Sequence, residues 1–162
     1  MSEAGSIHVR SATLDDVPSI VDFNCRLAEE SEAKMLDRDV LARGVRRALA
    51  HPDLCRYYLA EVDGEVVGQA MFTVEMSDWR DGLIWWLQSV YVLSDFRRRG
   101  VFARLFEHIQ QSAQTSGDIR AIRLYVDDTN HAAIKTYRGL GFQPAGYHVL
   151  EMDWSGAVQS QK

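Results

Sequence analysis

The chain has 162 residues, 46% of them hydrophobic and 25% charged, the balance of one ordinary soluble domain with a full-sized core. Eighteen Lys and Arg against 23 Asp and Glu give a formal net charge of −5, the wrong sign for a protein whose main task is to neutralise a phosphate backbone, so nucleic acid is not expected as a partner. No apolar run reaches the roughly eighteen residues of a membrane span, Met1 to Ile7 lack a secretory layout, and Cys25 and Cys55 have neither redox nor zinc spacing. The chain therefore reads as cytoplasmic, without membrane or metal, its cysteines acting as small buried hydrophobes.

In chain order, Ile7 to Arg10 reads as a short strand, and Thr13 with Asp16 forms a capping-box pattern at a helix start. Val17, Ile20, Val21, Leu27 and Ala28 then recur on one helical face, with Pro18 near its beginning. A second helix is predicted over Asp37 to Ala50, with Val40, Leu41, Val45 and Leu49 on one side and His51-Pro52 as its stop. Arg56 to Val62 and Glu65 to Val74 flank Asp63-Gly64, a dipeptide suited to the positive dihedrals of a two-residue hairpin. Asp81-Gly82 offers the same turn chemistry and leads into Leu83 to Val92, a run of aromatic and β-branched residues that suits a central strand.

After Gly100 the period changes. Phe102, Leu105, Phe106, Ile109 and Ala113 have helical spacing, which stops near Gly117, and Ile122, Leu124 and Val126 alternate as a strand. Asn130 to Arg138 reads as a short helix closed by Gly139 or Gly141, with a last strand around Tyr147 to Trp154 and a polar tail from Ser155. There is no repeat and no linker, so residues 1–162 are expected to form one domain with a core over about 7–154. The order β-α-α-β-β-β-α-β-α-β gives an α/β (α+β) fold, a mixed sheet with helices on its faces.

The junction between the central strand and the next helix carries Val90-Tyr91-Val92-Leu93-Ser94-Asp95-Phe96-Arg97-Arg98-Arg99-Gly100-Val101-Phe102. Three arginines alone would mark only a solvated face. At a helix start they coincide with unpaired backbone N–H groups, the positive end of the helix dipole and a glycine that permits close approach, which is chemistry for a pyrophosphate. No G-x-x-x-x-G-K-[ST] run exists, and Gly139-x-Gly141 follows a helix, so the nucleotide-triphosphate and dinucleotide motifs are not matched.

The segment resembles the acetyl-CoA signature R-x-x-G-x-[GA] of the GNAT superfamily of N-acetyltransferases, with Phe102 where the family usually has Gly or Ala. A second landmark follows at the family's distance: Asn130-x-x-Ala133-x-x-x-Tyr137-x-x-x-Gly141-Phe142. The resemblance covers about Ile7 to Trp154 and implies a mostly antiparallel central sheet with helices on both faces. It further implies acetyl-CoA as cofactor, with CoA as product, bound by Val90, Tyr91, Val92, Arg97, Arg98, Arg99, Gly100, Val101, Phe102 and Asn130.

By the same resemblance, backbone groups near Val90 to Val92 pair with the pantetheine arm, and an N–H there can polarise the thioester carbonyl. Tyr137, otherwise a core aromatic with its hydroxyl at the surface, matches the residue that protonates the departing thiolate. Asn130 matches a cofactor ligand or is simply a helix cap. The attacking amine must shed a proton, and the position that often carries a glutamate base corresponds to Gln88. Glu75 and Asp78 are the substitute candidates, or only solvating carboxylates.

Glu29, Glu30 and Glu32, with the Glu75 to Arg80 segment, fall where the family places acceptor loops, where acidic and aromatic groups suit a cationic amine. Trp85 and Trp86 should point to opposite faces of the sheet. The expected function is direct transfer of acetyl from acetyl-CoA to a primary amine, small-molecule or peptide, in a ternary complex. The alternative is a non-catalytic acyl-CoA-binding module, and a homodimer is left open.

Overall fold

The computed structural model describes residues 6–155, which fall into two compact units, one ending at Tyr125 and the other beginning at Val126. In the first, β1 (His8–Ser11), β2 (Cys55–Val62), β3 (Glu65–Ser77), β4 (Gly82–Val92) and β5 (Ile119–Leu124) form one sheet in chain order. Neighbouring strands are antiparallel except β4 and β5. Those two run parallel because a helix, α3 (Val101–Ser116), lies between them in sequence and carries the chain back along the sheet.

Turn chemistry sets the β2–β3 register. Asp63 (φ 52°) and Gly64 (φ 81°) both take left-handed dihedrals, whose twist matches that of the flanking strands. Asp81-Gly82 does not repeat that turn: Asp81 is left-handed (φ 46°), but Gly82 is already the first residue of β4. Glycine is needed there for space, since a Cβ would lie 2.7 Å from the Asp118 carbonyl oxygen and 2.8 Å from the Arg120 side chain.

The expected helices of the first half form as α1 (Val17–Glu32) and α2 (Arg38–Leu49). The Thr13–Asp16 box lies one turn early, on a 3-10 turn over Leu14–Asp16, because Pro18 occupies the first turn of α1. Asp37 caps α2 by accepting the N–H groups of Asp39 and Val40 at 2.9 and 3.0 Å. Strand alternation then divides the core between two faces. Tyr57 and Leu59 pack with Val17, Ile20, Val21 and Val45 of α1 and α2, while Tyr58 meets His108 of α3 edge-on at 4.7 Å. Helices therefore cover both faces, as expected. The two cysteines are free thiols, half-buried and not fully buried.

Where the chain enters α1, Arg10 donates twice to Asp16 (both 2.8 Å) and once to Glu61 (2.7 Å). The Arg10 bonds outweigh burial and hold the Asp16 carboxyl at about 2, against 3.8 for an ordinary aspartate. A lowered carboxyl pKa adds stability above the unfolded value, and that increment fades as pH falls from about 4 to about 2. Asp16→Asn should remove this part of the acid-melting profile; thermal melts that lose stability over that range as steeply as the parent would contradict it.

The second unit contains α4 (His131–Gly139), capped by Asn130, whose side-chain oxygen accepts the Ala133 N–H at 3.1 Å. The strand expected at Tyr147 to Trp154 does not form. Its residues alternate suitably, but the described residues of this unit hold no second strand to complete a ladder, and Leu150 and Trp154 are 93% and 86% exposed. Among the described residues no helix is long and apolar enough to cross a membrane, and no cluster of three His, Cys, Asp or Glu could hold a metal ion.

Candidate functional site

Two features of β4 set the site's frame. Gln69 pairs with Tyr91 and Met71 with Gln88, so Ala70 alone faces both Ser89 and Val90, a β-bulge with Ser89 left-handed at φ 48°. Pairing with β5 ends at Leu87↔Leu124, whereas β4 continues to Val92. Beyond Leu87 the β5-side edge of β4, through Val90, Tyr91 and Val92, lies outside the ladder of the first unit. An extended ligand could pair there as an added strand.

The bulge is held from within. Gln69 is fully buried, and its Nε2 donates to the Ser89 carbonyl oxygen at 3.0 Å and to Asn24 Oδ1 at 2.8 Å. Asn24 Nδ2 donates in turn to the Tyr57 hydroxyl at 3.2 Å. Both bonds of Gln69 run through Nε2, while its Oε1 is buried without a hydrogen-bond partner among the described residues, and the Nε2 bonds fix the strained strand against α1. Sequence reasoning passed over Asn24, Gln69 and Ser89. The available signal was a lone Gln in the otherwise apolar stretch Val66 to Phe72.

After β4 the loop turns through Ser94–Phe96 into α3. Arg98 (φ 60°) and Gly100 (φ 84°) are both left-handed, and no side chain caps the helix. The N-terminal end of a helix carries the positive end of its dipole, so the start of α3 at Val101 adds partial positive charge to a concave turn of backbone. A Cβ on Gly100 would meet no protein atom within 4 Å, so the space in front of the turn is open. Gly68 matters here too, with a Cβ position only 3.0 Å from Val101 Cγ1 and 3.2 Å from the Tyr91 carbonyl oxygen. Its bare backbone lets the start of α3 sit close against β3 and β4.

The three arginines separate. Arg97 is turned back toward the strand, its Nε donating to the Val92 carbonyl oxygen at 2.9 Å and its Nη2 to Glu30 at 2.5 Å. Arg99 lies over the Phe96 ring (4.9 Å to the centroid), and Arg98 is exposed. Phe102, half-buried, stacks on Phe106 at 6.0 Å, so the position usually held by a small residue here contributes its ring to the helix surface.

The remaining candidates are spread more widely. Gln88 donates to Thr73 Oγ1 at 2.9 Å. Glu75 accepts from Trp86 Nε1 and lies 3.9 Å from Arg123; it pairs with Ile84, five residues along β4 from Ser89 (84 to 89) and so roughly 16 Å from the bulge at strand rise. Asp78, farther on, binds the Trp79 N–H at 2.9 Å in the β3–β4 turn. Trp85 and Trp86 take opposite faces as expected, Trp85 stacked on Phe72 at 3.8 Å and Trp86 on Tyr125 at 4.5 Å. Trp79 is 91% exposed.

In the second unit Tyr137 is half-buried on α4, edge-on to Phe142 at 5.8 Å. Burial pushes its phenol above the ordinary value. Asn130 uses its side-chain oxygen as the helix cap, the plainer of its two expected roles.

In the first unit the β4 edge beyond Leu87 runs directly into a helix start with no side-chain cap, an arrangement that suits an extended ligand with an anionic end. Residues 20–142 match the Acetyltransferase (GNAT) family. That stretch is most of the chain, which therefore belongs to this family of acetyltransferases.

Among solved structures, a possible acetyltransferase from Clostridium difficile 630 is 40% identical, with a TM-score of 0.85 over 91% of this chain and 97% of that one. A predicted acetyltransferase from Clostridium acetobutylicum, solved with acetyl-CoA, shares the fold at a TM-score of 0.71 and 19% identity, over 91% of this chain and 96% of that one. A probable N-acetyltransferase, san, of Drosophila melanogaster is 32% identical over 79 residues, 41% of this chain and 43% of that relative, so the match spans less than half of the curated protein.

Proposed function

We propose that the chain is a single N-acetyltransferase domain that passes the acetyl group of acetyl-CoA directly to a primary amine, small-molecule or peptide, within a ternary complex. The observation that carries this reading is the continuity of the β4 edge beyond Leu87 with the left-handed turn at Arg98 and Gly100. One offers strand pairing to a pantetheine arm, the other offers N–H groups to a pyrophosphate, and the space before Gly100 fits close approach. The relative solved with acetyl-CoA supports the same choice of cofactor.

When bound, acetyl-CoA supplies an activated acyl group; the rest belongs to the chain. Backbone N–H groups near the bulge stabilise negative charge developing on a carbonyl oxygen. Arg98 and Arg99 add positive potential at the turn, whereas Arg97 contributes through its bonds to the strand and α1. Tyr137, a phenol that is protonated at neutral pH and that burial pushes further up, would give its proton to the leaving sulfur, and Asn130 supports that motif as a cap.

The amine's proton leaves by water. Gln88 cannot take it, and the candidate bases Glu75 and Asp78 lie roughly 16 Å or more along the strand from the bulge, which favours a water relay over direct transfer. These carboxylates act as the eventual proton acceptors and attract the amine. Gln88 is also what favours the second reading, a binding module without turnover, which predicts cofactor affinity with no acetylated product.

Glu30 is committed to Arg97 and Tyr91, and Glu32 is paired with Lys34, so the attraction of a cationic acceptor falls to Glu29, Asp78 and Glu75, the last of them shared with Trp86 and Arg123. The specificity constant for cationic amines should fall as ionic strength rises, and fall again in Glu75→Gln through acceptor KM more than through kcat. A panel in which neutral or acidic acceptors outperform every cationic amine would overturn the charge argument.

A further inference from the structure

Glu30 stands near the end of α1, 67 residues before Arg97, yet its carboxylate bridges Tyr91 at the end of β4 and Arg97 in the strand-to-helix loop. One oxygen accepts from the Tyr91 hydroxyl at 2.8 Å and the other from Arg97 Nη2 at 2.5 Å. The Arg97 guanidinium also lies 5.4 Å from the Tyr91 ring centroid while its Nε holds the Val92 carbonyl oxygen, and the Tyr91 ring packs on Phe23 of α1 at 5.3 Å. Leu93 N–H to the Val67 carbonyl oxygen at 2.9 Å anchors the loop's first residue to β3, and beyond it the loop's own backbone bonds are short-range turns, Phe96 N–H to Leu93 at 2.9 Å and Arg97 N–H to Ser94 at 3.3 Å. Such turns close locally and do not orient the loop on the rest of the fold. Burial opposes ionisation of Glu30, but the bonds from Arg97 and Tyr91 prevail and keep its carboxyl below the usual range, so the bridge is an ionic one at neutral pH.

We infer that Glu30 is a positioning residue of the cofactor site: through Arg97 and Tyr91 it holds the strand-to-helix loop in the conformation that turns the N–H groups of Arg98 to Phe102 toward an anionic ligand. The inference rests on the cofactor reading above. It also reassigns the conspicuous arginine: Arg97 serves the site by fixing the loop, and the pyrophosphate is met by backbone. The end of α1, where the chain leaves toward the acceptor-side segment before α2, is thereby tied to the cofactor loop.

The sign of one substitution separates this from simple electrostatics. A carboxylate near a polyanion repels it, so a Glu30 acting by charge alone would make Glu30→Gln bind CoA more tightly. A positioning carboxylate predicts the reverse. Calorimetric titration with CoA should show Glu30→Gln and Arg97→Gln each weakened by about three- to tenfold, and the double variant no weaker than the worse single, because all three break the same bridge. With acetyl-CoA saturating, kcat should stay within about twofold of the parent, a split between KM and kcat that general destabilisation would not give.

Both side chains are about half exposed (45% and 44%), so the variants should fold, and thermal melts check this directly. Glu30→Gln binding CoA as well as the parent or better would overturn the inference. So would a far larger loss in Arg97→Gln than in Glu30→Gln, accompanied by a reduced salt dependence, since Arg97 would then be touching phosphate itself. Failure of the parent chain to bind CoA would instead remove the cofactor reading on which it rests.

Discussion

Tyr137→Phe is expected to lower kcat by about 10²-fold or more while leaving CoA affinity within about twofold, because a general acid contributes on that scale and the phenyl ring is retained. The ring packs edge-on against Phe142, a contact that phenylalanine preserves. What is lost is one O–H, which a phenol keeps at neutral pH even at its ordinary value and which burial here pushes further up. Steady-state kinetics with a good amine, set beside calorimetry with CoA, measure the two effects separately. Turnover equal to the parent would make the phenol structural and leave the thiolate to take its proton from water.

Gly100→Val should weaken CoA at least tenfold. Its φ of 84° is a conformation that β-branched residues resist, and relaxing it would swing the first N–H groups of α3 away from the ligand. A valine that kept the backbone in place would project its methyls into the open space where the pyrophosphate is proposed to lie. Strain alone costs roughly 1–2 kcal/mol in stability, which a matched control can isolate. Gly117 closes the other end of α3 at φ 70°, also with no atom within 4 Å of its Cβ position. Gly117→Val should melt lower by a similar amount yet bind CoA normally. Equal CoA affinity in both variants would remove the turn from the cofactor site.

Most of the architecture was legible because it is locally encoded. Asp63-Gly64 fixes its hairpin by dihedral preference, the spacing of Leu105, Phe106 and Ile109 switches the period at the junction, and adjacent tryptophans must alternate on a strand. The left-handed turn before α3 was legible for the same reason, since its glycine, its arginines and the helix start are contiguous.

What escaped depends on partners remote in sequence. The bulge arises only when β3 lies beside β4 and Gln69 reaches Ser89, and Glu30 meets Arg97 only after α1 has packed on the sheet. Gly82 looks like a turn residue but is required by the approach of Asp118 and Arg120. The Tyr147 to Trp154 stretch shows the converse, because alternation specifies a strand's faces and not its neighbour.

The most direct test of the account is a thiol-release assay with acetyl-CoA and a panel of cationic primary amines, read together with mass analysis of the acceptor. Amine-dependent release of CoA is expected, matched one for one by N-acetylated amine, with no acetyl group retained on the protein. CoA binding without acetylated product across the whole panel, or an acetyl group accumulating on a side chain before the amine is added, would contradict it.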